Sequence, residues 1–227
     1  MDMEQTLPAN VTNHYRNHRD TYNQIGATLF KTRKRFLESS YSEKIVMLQK
    51  SHSFAVISVQ TPVDIHEKAF AELWRDHDKG RPIEWNIDDA LDSVNYKNNK
   101  KEYIMHSINH GNLWARVAEM LEDNNINEAH KFILDNMKGV GPAKSPFVLS
   151  MLGFEEKMCI DTNIVNAFDL DGHVSTVVVE KYDNICQSLR DKMPTLRDMT
   201  TPFLFQWVTF DYQRGNISTH DVFYETL

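Results

Sequence analysis

Cysteine is scarce. Cys159 and Cys186 are the only two in 227 residues, which excludes a disulfide framework and a four-cysteine iron–sulfur site. So low a count fits a reducing compartment, and an intracellular location, cytoplasm or nucleoid, is the expectation. Long apolar runs are missing as well. None approaches the ~20 residues that cross a bilayer, so no membrane segment is expected. Residues 1–10 carry acids and no apolar core, so no secretory leader is expected either. Metal-ligand patterns are thin. His14 and His18, and likewise His106 and His110, stand four apart and could share a helix face, but no nearby cysteine or acid pattern completes a set. No metal and no cofactor is expected. Internal repeats and low-complexity linkers are absent.

Strand patterns are also few. Val174 to Val179 is β-branched, but it runs into a helical pattern over about Val177 to Leu189. Apolar residues recur at helical spacing almost everywhere else. Ile65, Ala69, Phe70 and Leu73 form one stripe; Leu113, Val117, Met120 and Leu121 a second; Ala129, Phe132, Ile133 and Met137 a third. The expectation is an all-α protein of roughly eight to eleven helices, taking about 11 residues per helix plus short connections. Breaks are expected at Thr61-Pro62, Lys79 to Pro82, Gly139 to Pro142, Asp171-Gly172 and Thr201-Pro202. Trp74, Trp85, Trp114 and Trp207 are read as core.

A net charge of −7 argues at first sight against a nucleic-acid partner. Its distribution changes that argument. Residues 155–227 hold 6 basic and 12 acidic side chains, and residues 1–154 hold 19 and 20, so the acidity is concentrated late in the chain. Basic runs stand at Lys31, Arg33, Lys34 and Arg35 and at Lys97, Lys100 and Lys101. By pattern alone each is a solvated helix face.

The most informative segment is Lys138-Gly139-Val140-Gly141-Pro142-Ala143-Lys144. A helix over about Glu128 to Met137 runs into it, and a second over about Pro142 to Leu152 leaves it. Two glycines one residue apart permit positive φ and close backbone approach, and Pro142 suits the first position of a helix. Outward main-chain N–H groups at a helix start make an anion site, and the anion can be a DNA phosphate, with Lys144 adding charge beside it. A plain helical turn with glycines for packing is the alternative, and Pro146 sits awkwardly early in the second helix. Farther on, Asp161 follows an apolar pair and precedes a new helical pattern. Asp161 or Thr162 could simply cap that helix. A carboxylate there could equally orient a water that attacks a sugar carbon, and stabilise the positive charge that develops as a base departs.

These residues resemble the helix-hairpin-helix DNA glycosylase superfamily, which includes endonuclease III, adenine glycosylase and alkyladenine glycosylase. Met137-Lys138-Gly139-Val140-Gly141 is similar to the family's Leu-Pro-Gly-Val-Gly hairpin, and Ile160-Asp161-Thr162-Asn163 to its Val-Asp-Thr-His segment with the catalytic aspartate. In the lyase branch the nucleophilic lysine lies two residues past the second glycine. Here Ala143 holds that place, eighteen residues before Asp161 as in the family. Ile57-Ser58-Val59-Gln60-Thr61 resembles the stretch whose glutamine fills the gap left by a flipped base. Tyr96 to Ile104 resembles an aromatic-x-x-Lys segment with one residue added. Trp207 and Tyr212-Gln213-Arg214 resemble the late tryptophan helix. The resemblance is loose over about residues 45–215 and specific over 127–168.

The resemblance implies a two-lobed all-α fold with the base pocket between the lobes. Its core would be residues 46–227, with the hairpin at about 127–152 and a helical extension over residues 1–45 packing on it. It implies a monomer acting on double-stranded DNA. Gly139, Val140, Gly141 and Lys144 would hold the backbone, Gln60 would hold the duplex open, and Asp161 would promote hydrolysis of the N-glycosidic bond. Phe54, Tyr96 and Tyr103 are candidates for lining the base pocket. Three departures matter. Ala143 offers no amine, so a monofunctional enzyme is expected. Lys144 stands about 100° away on a helix, unless distortion at Pro146 turns it inward as a second catalytic candidate. The iron–sulfur cysteines are missing, and Asn163 replaces the histidine. Two other readings stay open: a virus-type enzyme that modifies bases with a second small substrate, and a non-catalytic DNA-binding module.

Overall fold

The computed structural model describes residues 3–161, 164, 165, 168 and 179–227. Thr162, Asn163, the Asp171-Gly172 break and the β-branched run from Val174 to Val178 lie outside them. Among the described residues there are thirteen α-helices and no strand. They are α1 (Met3–Asn17), α2 (Arg19–Glu38), α3 (Tyr41–Ser58), α4 (Val63–Trp74), α5 (Ile87–Ala90), α6 (Lys97–Asn109), α7 (Gly111–Glu122), α8 (Ile126–Asn136), α9 (Ser145–Ser150), α10 (Val179–Asp191), α11 (Pro194–Met199), α12 (Pro202–Arg214) and α13 (Asp221–Thr226). The number exceeds the expected range because α5, α9, α11 and α13 have only four to six residues, about half the mean length assumed.

The chain forms two compact units. One comprises residues 1–33 with 141–219, the other Lys34–Val140 with His220–Leu227. In the second unit α3 is the central element, packed by α4, α6 and α7. It is buried without interruption from Met47 to Ile57, and its stripe is not amphipathic because both its apolar and its polar sides face protein. Ser40 starts it with a reciprocal box: its hydroxyl accepts from the Glu43 N–H, and its own N–H donates to the Glu43 carboxylate at 2.8 Å. Gln49 donates its amide to the carbonyls of Ser107 and Ile108 at the end of α6. Lys50 donates to the Thr226 carbonyl at 2.6 Å, and Phe223 of α13 meets Phe54 and Phe70.

Lys100 closes the far end of α3. Its ammonium, 3% exposed, donates to the carbonyls of Ile57 and Val59 and to the Thr61 hydroxyl at 2.6–3.0 Å. The carbonyls at a helix C-terminus have no intrahelical donor, so a cation there satisfies them and opposes the helix dipole. The run Lys97, Lys100, Lys101 is therefore no free basic face: Lys97 pairs with Asp92 and Lys101 with Asp88. In the earlier run, Arg33 pairs with Glu156 and lies over the Phe154 ring, and Arg35 donates to the Leu227 carbonyl.

In the first unit, Val11, Tyr15, Tyr22, Ile25 and Leu29 of α1 and α2 and Phe203, Phe205 and Val208 of α12 are buried. Asp211 on α12 is fully buried. It accepts from the Tyr22 hydroxyl at 3.1 Å and from the Ser218 N–H at 3.2 Å, and burial lifts its carboxyl to about 7. Trp207 donates its indole N–H to the Ser218 carbonyl. Trp74, Trp114 and Trp207 are core as expected, but Trp85 is 69% exposed. It ends a short 3-10 turn, Ile83–Trp85, in which Ile83 takes the inner face.

Replacing Lys100 by Met keeps the stem and removes the ammonium, taking this donor from the Ile57 and Val59 carbonyls at the end of α3. Urea unfolding of Lys100→Met should show a loss of about 2–4 kcal/mol. A change below about 0.5 kcal/mol would show that water replaces the ammonium at no cost.

Candidate functional site

Helix α8 ends where the Met137 N–H bonds the Ile133 carbonyl at 2.8 Å and Met137 turns extended. The next residue is held from three directions. The Lys138 carbonyl accepts from Nε2 of His52 at 2.9 Å, its ammonium pairs with Glu102 at 2.7 Å, and the following Gly139 lies against Tyr103. A Cβ on Gly139 would fall 2.5 Å from a Tyr103 ring carbon, and its φ is +82°. Glycine is thus required at 139 twice over, by space and by backbone. Val140 is buried.

Gly141 differs. Its φ lies outside the left-handed region, it is exposed, and a Cβ there would meet nothing within 4 Å. Among the described residues no contact calls for glycine at 141. The N–H groups of Gly139, Val140, Gly141 and Ala143 donate to no acceptor among the described residues.

The second helix begins later than expected. Residues 142–144 form a turn in which the Lys144 and Ser145 N–H groups both donate to the Gly141 carbonyl, and α9 starts at Ser145 rather than Pro142. Pro146 consequently falls in the first turn, where its missing N–H costs nothing, and the difficulty foreseen for it disappears. The 100° separation assumed between Ala143 and Lys144 goes with it, because neither is inside a helix. Lys144 is half-buried, with its ammonium 4.8 Å above the Phe147 ring.

Asp161 ends a buried stretch without regular secondary structure, its N–H donating to the Cys159 carbonyl at 3.1 Å. Met158, Cys159 and Ile160 are at most 1% exposed. The Tyr182 hydroxyl of α10 stitches them, donating to the Met158 carbonyl and accepting from the Ile160 N–H. Asp161 is half-buried, and its Oδ1 accepts from the Ile164 N–H at 3.0 Å while its carbonyl accepts from the Val165 N–H. The capping arrangement is therefore formed, and it locks the carboxylate's rotamer. Burial pushes the Cys159 thiol up to about 12, and the charges of Lys144 and Asp161 both reach it.

Gln60 follows the end of α3 in the left-handed region, φ +52°, and is exposed. Such a backbone is strained for a non-glycine residue and persists only where its surroundings hold it. Here Asn95 donates to the Gln60 carbonyl at 2.7 Å, and Lys100 grips the carbonyl before it. Tyr96, next to Asn95, is also left-handed, φ +57°, and 62% exposed. It is an outer tip beside Gln60 rather than a wall of a pocket. Phe54 does not line a pocket either: it is fully buried among Phe70, His66, His220 and Phe223. Tyr103 serves as the platform under Gly139. His52 and Asn95 escaped the sequence reading, since each acts through a backbone carbonyl that no side-chain pattern announces.

Gln60, Gly139 and Val140 belong to the unit of residues 34–140; Gly141, Lys144 and Asp161 belong to the other. Among the described residues no group of three or more His, Cys, Asp or Glu side chains could hold a metal ion. A cavity of about 450 Å³ opens at Asp88, Asp89, Asp92, Lys97 and Lys101, and none of the candidate residues lines it. No described helix is long and apolar enough to cross a membrane.

No protein-family model and no curated protein matches the sequence. Solved structures do match. The 8-oxoguanine DNA glycosylase of Thermotoga maritima superposes with a TM-score of 0.72 at 13% identity, covering 95% of this chain and 99% of that one. The 8-oxoguanine glycosylase/lyase of Methanocaldococcus jannaschii, solved with a 15mer DNA containing 8-oxoguanine, gives 0.68 at 16% identity over 94% and 99%. A second structure from that organism, described as its 8-oxoguanine DNA glycosylase, gives 0.60 at 17% over 90% and 98%. At such identities the likeness establishes the fold alone: the chain has the all-α fold expected from the sequence, the fold of these solved proteins.

The two glycines should respond oppositely to alanine. Gly139→Ala should lose about 2 kcal/mol or more, from the left-handed backbone and the Tyr103 overlap. Gly141→Ala should unfold within about 1 kcal/mol of wild type, on the stable side if anything. Equal losses in urea unfolding would contradict the distinction. His52 supplies a second outcome. Burial lowers its imidazole from 6.5 to about 4, so the stability it confers is complete above 6.5 and is lost as pH falls toward 4. Wild type should lose about 3 kcal/mol more than His52→Gln across that window. Parallel pH–stability curves would show that His52 does not titrate as its burial requires.

Proposed function

We propose that the chain is a DNA glycosylase that hydrolyses the N-glycosidic bond of a damaged, mismatched or modified base, without lyase activity. The observation that carries this reading is the hairpin, where four N–H donors have no acceptor among the described residues on a fold shared with DNA glycosylases. A phosphate accepts several such donors at once, and contacts of this kind position a protein on DNA without reading its sequence. Double-stranded DNA is the partner proposed, bound by a monomer inside the cell. An oxidised purine is the first substrate to test, because the structural neighbours are described as acting on 8-oxoguanine.

In this reading Gly139, Val140 and Gly141 hold a backbone phosphate, with Lys144 adding charge. Gln60, on its rigid exposed tip, occupies the space that the extruded base leaves. Asp161 deprotonates or orients the attacking water and offsets positive charge on the sugar as the base departs. Schiff-base chemistry needs an amine at the reacting carbon, and Ala143 has none. Lys144 is the one amine beside that position. Its half-buried place near Cys159 makes it the residue to watch, although one neighbour is described as a glycosylase/lyase and this chain departs from the lyase pattern at Ala143. The cap bond of Asp161 favours a second reading, a DNA-binding module in which that carboxylate only starts a helix.

Asp161→Asn separates the two. Asparagine caps as well as aspartate, so the fold should persist. Base release from a panel of lesion duplexes should fall by about 10²–10⁴, with duplex affinity within about threefold of wild type. Excision at the wild-type rate would remove Asp161 from the chemistry, and no excision by either protein would favour the binding module. Borohydride treatment with abasic or lesion duplexes should trap no covalent complex. An adduct that forms, and is lost in Lys144→Ala, would make Lys144 the nucleophile and the enzyme a lyase.

A further inference from the structure

The peptide joining Lys138 to Gly139 has an orientation that follows from one side chain. His52 is fully buried on α3, with its ring edge-on to Trp114 at 5.4 Å. Its Nε2 lies 2.9 Å from the Lys138 carbonyl. A carbonyl only accepts, so Nε2 carries the proton. Burial keeps the ring neutral, which makes this one tautomer. No cis peptide bond occurs, and in a trans peptide the C=O of one residue and the N–H of the next point opposite ways. With the Lys138 carbonyl drawn onto the buried histidine, the Gly139 N–H is turned away from α3. Tyr103 then blocks Gly139 from swinging back, and the Lys138–Glu102 pair holds the side chain aside.

We infer that His52 is a positioning residue for the hairpin: by holding the Lys138 carbonyl it aims the Gly139 N–H outward at an incoming phosphate. The inference rests on the reading of the hairpin as the phosphate grip. It adds a residue that lies on α3, a core helix, 86 residues before Lys138 in the sequence, and whose contribution is to DNA affinity.

The test is binding of one undamaged fluorescent duplex at fixed salt, with thermal unfolding of each variant beside it. His52→Phe and His52→Leu lack the donor and should bind about tenfold more weakly, the scale of one hydrogen bond. His52→Gln, which can place an N–H at the same carbonyl, should bind within about threefold of wild type. In a Gly141→Ala background, which should itself weaken binding, His52→Phe should cost under about twofold more, because both changes act on one set of donors. A role in general stability would instead add in full. Folded donor-less variants with wild-type affinity would overturn the inference, as would a Gln variant as weak as Phe. Failure of both donor-less variants to fold while Gln folds would assign the bond to folding alone and would also overturn it. If Gly141→Ala weakens binding and the His52 variants do not, only this inference falls; if none weakens it, the phosphate-grip reading falls as well.

Discussion

Helix α3 carries Gln49, Lys50, His52 and Ser53 into an interior that offers them no water, and a buried polar group without a partner costs about 1–3 kcal/mol. Each has taken a main-chain carbonyl. Gln49 holds the end of α6, Lys50 the end of α13, His52 the entrance of the hairpin, and Ser53 the carbonyl one turn earlier on its own helix. Lys100 does the same in reverse, bringing a cation to the carbonyls that α3 leaves open. The unit of residues 34–140 and 220–227 is organised around the need to satisfy this one helix. The turns at Gln60 and at Gly139 are the places where those bonds meet the surface.

Polar anchoring of this kind explains how strained residues are kept. Gln60 and Tyr96 are both left-handed without being glycine, and the Asn95 bond and the Lys100 clamp lie directly beside them. Strain at an exposed tip persists only where the surroundings hold it, and these bonds do so. At Gly139 the solution is different: the side chain is absent, and Tyr103 fills its place.

The other unit carries Asp161 and Lys144. Asp161 projects from a stretch that is otherwise sealed, stitched by Tyr182 and flanked by a thiol held neutral by burial. Charges beside such a buried stretch interact more strongly than they would in water. The cap bond from Ile164 holds one oxygen of the carboxylate.

The all-α class, the break between two helices at Gly139 to Pro142 and a cap at Asp161 were legible in the sequence, because helical periodicity, paired glycines and a polar residue at a helix start are local signals that survive without neighbours. The late start of α9, and with it the standing of Lys144, was not legible, since a turn over residues 142–144 and a helix there share the same composition. Nor was the contrast between Gly139 and Gly141. Both read as permissive glycines, and only the Tyr103 ring, thirty-six residues away, makes one obligatory and leaves the other bare. Phe54 read as a pocket wall and is core; the Lys97–Lys101 run read as a solvated face, and Lys100 is buried. Residue type and spacing determined which elements form. Packing alone decided which polar group faces which carbonyl, because that depends on contacts between segments far apart in the chain, which no local pattern encodes.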